Sequence, residues 1–125
     1  MDVKKHIQYW LRSADEDWDI AQDLVDRKKV RHGLFFAHLA LEKVFKAHVC
    51  RTTQDVAPRI HHLLRLAETT NLYLSQDHKA FLAEFDQYQL EGRYPENLLS
   101  PPTPGEAKQQ LQEAGEIFQW LTRQL

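Results

Sequence analysis

The chain has 125 residues, 42% of them hydrophobic and 27% charged, which supplies one buried core and argues against disorder. Sixteen Lys and Arg stand against eighteen Asp and Glu, a formal net charge of −2, so there is no global basic field of the kind that coats polyanions. A single cysteine, Cys50, excludes an intramolecular disulfide and any CxxC metal or redox motif, and no apolar run approaches the roughly 20 residues of a membrane span.

In the first segment, Asp2 to Asp26, residues Ile7, Trp10, Leu11, Ala14, Trp18, Ala21, Leu24 and Val25 recur at three- and four-residue spacing. That is one apolar face of a helix, set against an acidic face of Asp15, Glu16, Asp19 and Asp23. The second segment, Arg31 to Cys50, is apolar almost all round in its first half, as in a helix buried among neighbours or at an interface. Its second half reads as amphipathic, with Glu42, Lys43 and Lys46 opposite Val44, Phe45, Ala47 and Val49. Glu42 and Lys46 are an i,i+4 pair, worth about 0.2–0.5 kcal/mol on an exposed face.

A loop follows from Thr52 to Arg59, then a short helix predicted over His61 to Thr70. Ser75 is placed to cap a helix over Gln76 to Leu90, whose stripe is Phe81, Leu82, Phe85 and Tyr88. Gly92 to Pro102 reads as irregular. The last helix has the clearest start: Thr103 at the N-cap, Pro104 at the first helical position and Glu106 three residues on form a capping box. No segment reads as a strand. The expectation is one all-α domain over residues 1–125, an antiparallel bundle of four to five helices with the first, second and last as its body.

The run Trp10-Leu11-Arg12-Ser13-Ala14 with Asp17 resembles the opening helix of HEPN domains. The stretch from His32 through Ala47 is similar to that family's signature segment, Arg59 to Ala67 resembles its "T-H-D-L" stretch, and Glu91-Gly92-Arg93-Tyr94-Pro95 its "A-R-Y-P" stretch. Ile60 and His62 replace the Thr and Asp usual there, which weakens the cap of the short third helix. The resemblance implies a small helical bundle that forms homodimers. Many such proteins are encoded beside a minimal nucleotidyltransferase and act with it as a toxin–antitoxin pair. Some relatives are metal-independent RNases whose composite site uses an Arg, four to six other residues, and a His. Here no His follows Arg93 at that spacing. The pairs Arg27/His32 and Arg31/His38 satisfy it but do not lie where the family places its catalytic pair.

Metal-free RNA cleavage needs a base for the 2′-OH, an acid for the leaving oxygen and a cation for the phosphorane. His suits the first two roles and Arg the third. Arg93 is therefore the candidate cation, with helix capping as its structural alternative. His61 is the candidate acid or base. His62, beside it, is a candidate phosphate contact. His38 lies on the apolar stripe of the second helix and reads as a hydrogen-bonded core or interface residue; Glu42 is one turn away, so the two are candidates for a polar pair at a dimer interface. Tyr94 offers a hydroxyl beside Arg93 for contact with, or modification by, a nucleotidyltransferase. His38 and Glu42 lack the second His of a zinc motif, and His61 and His62 diverge on a helix, so no metal is expected.

Two functional readings follow. The leading one is a dimerising binding module that acts with a nucleotidyltransferase partner; the alternative is a metal-independent RNase toxin, which would take RNA as its partner. Neither requires a cofactor. The opening residues carry no apolar core of signal-peptide type, so a cytoplasmic protein is expected.

Overall fold

The computed structural model describes residues 2–89 and 100–125. Five α-helices span them: α1 (Val3–Asp26), α2 (Val30–Thr53), α3 (Leu63–Glu68), α4 (Gln76–Phe85) and α5 (Pro104–Arg123), with a 3₁₀ turn over Asp86–Tyr88. The described residues include no strand.

Helix α1 begins at Asp2, whose carboxylate accepts from the Lys5 N–H at 3.2 Å. It ends in a left-handed stop. Lys28 takes φ 65°, its N–H bonds the Val25 carbonyl at 3.0 Å, and the Lys29 N–H bonds the Leu24 carbonyl at 2.8 Å. This is a Schellman motif with lysine where glycine is usual. It reverses the chain within residues 27–29, so α1 and α2 pack antiparallel, the most extensive contact in the fold. Gly33 permits their close approach: a Cβ there would lie 2.5 Å from Val25 Cγ2 and 3.2 Å from the Ala21 carbonyl oxygen. Lys43 on α2 ties the pair together, reaching Asp17 at 2.6 Å and the Ser13 hydroxyl at 2.7 Å.

Helix α2 is the axis of the bundle. It meets α1, α3, α5 and the 3₁₀ turn, and its buried residues run from Gly33 to Cys50. In its apolar first half Gly33, Leu34, Ala37, His38 and Ala40 are buried within the chain, while Phe35, Phe36 and Leu39 keep partial exposure. Its second half is not the amphipathic, half-solvated segment that the charge pattern suggested. Glu42 and Lys46 are buried, at 3% and 7% exposure, because α3 and the segment before it close over that face.

Helix α5 starts with the expected capping box, Glu106 N–H to Thr103 Oγ1 at 3.1 Å and Thr103 N–H to Glu106 Oε1 at 2.9 Å. The Thr103 backbone N–H, with its hydroxyl second, holds the Glu106 carboxyl below its ordinary range. Trp18 of α1 stacks on Phe118 of α5, with centroids 5.0 Å apart. The buried His48 ring donates from Nε2 to the Leu121 carbonyl at 2.8 Å. Burial pushes its pKa down; the carbonyl opposes that, and the neighbouring Arg51 charge adds to it.

Two helices are shorter than expected. Helix α3 covers Leu63–Glu68 rather than His61 to Thr70, so His61 and His62 precede it. Helix α4 stops at Phe85 and tightens into the 3₁₀ turn, which turns Asp86 toward α2 and α3. Ser75 caps α4 as its position indicated, accepting from the His78 N–H at 3.1 Å.

Candidate functional site

On α2, His38, Glu42 and Lys46 succeed one another by one helical turn and share a face. All three are buried, and a charge withdrawn from water is tolerated only when paired. Glu42 Oε2 accepts from Lys46 Nζ at 3.0 Å and from His61 Nδ1 at 3.1 Å. Its other oxygen lies 3.9 Å from His38 Nδ1. Lys46 Nζ also sits 5.2 Å from the centroid of the Trp10 ring, a cation–π contact.

His38 points its Nε2 at Asp86, 2.8 Å away. An ionised carboxylate only accepts, so that nitrogen carries the proton. Asp86 also accepts from the Leu63 N–H at 3.3 Å and from His62 Nδ1 at 3.4 Å. The first donor of α3 is thus satisfied by a side chain from another element, and His62, at the N-cap position, makes no capping bond. Burial alone would push the Asp86 carboxyl up. The bonds from His38, Leu63 and His62, with the His38 charge, outweigh it and hold the carboxyl below its ordinary range.

Over this network lies a cleft of about 400 Å³, lined by Arg59, Ile60, His61, His62, Arg65 and Asp86. Buried Glu42 supports it from beneath, half-buried Asp86 borders it, and the imidazoles of His61 and His62 form its wall, with side chains 47% and 66% exposed. Glu42 orients His61 as a carboxylate orients an acid–base imidazole. His38 sits beneath, 1% exposed and bonded to Asp86, so it supports the cleft and does not line it.

The structure therefore brings together four residues singled out from the sequence: His38, Glu42, His61 and His62. Glu42 and His38 are both buried and hydrogen-bonded within their own protomer, the core reading of His38. Arg93 and Tyr94 lie outside the described residues. The sequence did not point to Asp86, Lys46, Arg59 or Arg65. A signal for Asp86 existed: it stands one turn after Leu82, on a stripe that is otherwise core, where a charge needs a partner. Of the Arg/His pairs with RNase-like spacing, Arg27 is engaged with Asp23 at 3.5 Å and His38 with Asp86.

The HEPN domain family matches residues 7–125, nearly the whole chain. The chain belongs to the HEPN domain family. This HEPN domain is also similar in structure to TT1696 from Thermus thermophilus, with a TM-score of 0.79 over 95% of this chain and 98% of that one. The two are 23% identical, a likeness of fold. No curated protein matches the sequence. Among the described residues of the HEPN domain, no three or more His, Cys, Asp or Glu side chains are grouped to hold a metal ion, and no helix is long and apolar enough to cross a membrane.

Proposed function

We propose that this HEPN domain is a dimerising binding module that works with a minimal nucleotidyltransferase as one half of a toxin–antitoxin-type pair. The observation that carries this reading is the use to which the histidines in and beneath the cleft are put. His38, His61 and His62 are each bonded to a carboxylate of their own fold, and together they fasten residues 59–62, α3 and the 3₁₀ turn to α2. A wall braced in this way presents a surface of fixed shape. The absence of a His after Arg93 at the RNase spacing and the net charge of −2 point the same way. The test is light scattering on the purified chain, alone and with the nucleotidyltransferase encoded nearest its gene. A homodimer that forms a stable complex with that partner is expected; a chain that stays monomeric at micromolar concentration and does not associate would sink the reading.

A second reading, a metal-independent RNase, is favoured by one observation: the half-exposed His61 imidazole oriented by the buried Glu42 carboxylate. In this reading Arg93 supplies the cation and His61 the acid or base. RNA cleavage in EDTA by the purified chain, lost in both Arg93→Ala and His61→Ala, is its signature. No cleavage, or equal cleavage by all three proteins, removes it.

A further inference from the structure

Only one side of α1 is used inside the chain. Ala14, Ala21 and Val25 lie in the core, and Trp18 stacks on Phe118 of α5. The opposite side faces outward along the helix. At three- and four-residue steps it carries Lys5, Tyr9, Arg12, Glu16, Ile20 and Asp23, all exposed. Tyr9 and Ile20 are large apolar side chains left in water, 58% and 42% exposed. They stand about three helical turns apart and so point the same way. The charges between and beyond them are sorted by sign. Lys5 and Arg12 lie toward the N-terminal end, Glu16 and Asp23 toward the C-terminal end. Arg12 and Glu16 form no ion pair among the described residues, and Asp23 meets Arg27 at 3.5 Å with both side chains well exposed.

This sorting decides what the face can pair with. A second copy laid parallel would set like charge against like. A copy laid antiparallel, about a two-fold axis between Arg12 and Glu16, sets Arg12 opposite Glu16, Lys5 opposite Asp23 and Tyr9 opposite Ile20. The two-fold makes each of these pairs occur twice. We infer that the outer face of α1 is a self-association surface on which a second copy of the chain packs antiparallel, Arg12 of each against Glu16 of the other. Exposed ion pairs are individually weak and are screened by salt, so ionic strength opens the contact. The inference goes beyond the reading above, which requires a dimer but names no face. It holds whether this contact makes the dimer or joins dimers in pairs, and in either case breaking it halves the mass.

The test is light scattering on the full chain over a range of concentrations, at about 0.05 M and about 0.5 M salt. Arg12→Glu, Glu16→Arg and the double variant are compared with Lys79→Glu, which makes the same change of net charge as Arg12→Glu at an exposed position of α4. The double variant guards against a single reversal that merely disturbs α1. The parent is expected to associate, and each single reversal to weaken that association at least about tenfold, leaving the half-mass species. High salt should shift the parent the same way. The double variant, in which the two charges have changed places, should regain the parent mass, and Lys79→Glu should not alter it. An oligomer that none of the variants disturbs overturns the inference and leaves the dimeric module standing. A double variant no better than the single ones, or equal dissociation by Lys79→Glu, overturns it too, because pairing of Arg12 with Glu16 would then not hold the copies together. So does a parent that is monomeric at both salt concentrations, with association to the nucleotidyltransferase left to decide the reading above.

Discussion

His38 and Asp86 stand 48 positions apart in the sequence and meet at 2.8 Å, the first on the central helix and the second on the 3₁₀ turn after α4. Through Asp86 the central helix is linked to His62 and to the first N–H of α3. One carboxylate thus closes the end of the bundle on which the cleft is built.

Replacing Asp86 by Ala should leave the His38 Nε2–H buried without an acceptor and the Leu63 N–H uncapped. A loss of about 2 kcal/mol is expected, from the cost of stranding a buried donor. Adding His38→Leu to Asp86→Ala should restore part of that loss, since the stranded imidazole is gone and the site is 1% exposed. Urea melts of both variants check this. An Asp86→Ala protein as stable as the parent would show that the contact contributes nothing.

Acid should destabilise the chain in two stages, and the signs follow from His48 and Asp86. Burial lowers the folded pKa of His48 below its ordinary 6.5, so as pH falls through 6.5 the unfolded chain takes the proton first and stability declines. The decline ends once the folded chain also takes it. Asp86 is held below its ordinary 3.8, so its contribution is complete above that value and is lost as pH falls through its folded pKa. His48→Gln, which can still donate to the Leu121 carbonyl, should flatten the first stage and leave the second. Thermal melts across the acid range, with and without that substitution, separate the two.

What could be read from the sequence was local, and what could not was long-range. The start of α5 was legible because Thr103, Pro104 and Glu106 act within one turn, and the start of α4 because Ser75 caps His78. The burial of most of α2 was legible from its apolar circumference. The buried state of Glu42 and Lys46 was not, because it depends on His61, 19 positions from Glu42, reaching back to Glu42 and on the Trp10 ring of α1 beside Lys46. Asp86 escaped for the same reason, its partners lying 48 and 24 positions away. The end of α1 gave no glycine to mark it: Lys28 occupies the left-handed position, and only the bonds from residues 28 and 29 reveal the motif. His61, His62, His38 and Glu42 were singled out as separate candidates. Their convergence on one cleft is a product of the tertiary fold.

The glycines give the sharpest test of the packing. At Gly33 an added methyl would meet the Val25 side chain at 2.5 Å, and also the Val25 nitrogen at 3.0 Å and the Ala21 oxygen at 3.2 Å. The last two are backbone atoms of α1 and cannot rotate away, so Gly33→Ala must push α1 and α2 apart. A loss of about 2 kcal/mol is expected from this overpacking, outweighing the gain in helix propensity. At Gly105, in the first turn of α5, a Cβ meets nothing within 4 Å. Gly105→Ala should therefore stabilise by about 0.5 kcal/mol, the propensity gain alone. Opposite shifts in melting temperature are the expected result. Two shifts of the same sign would mean that α1 and α2 do not cross as closely as Gly33 implies.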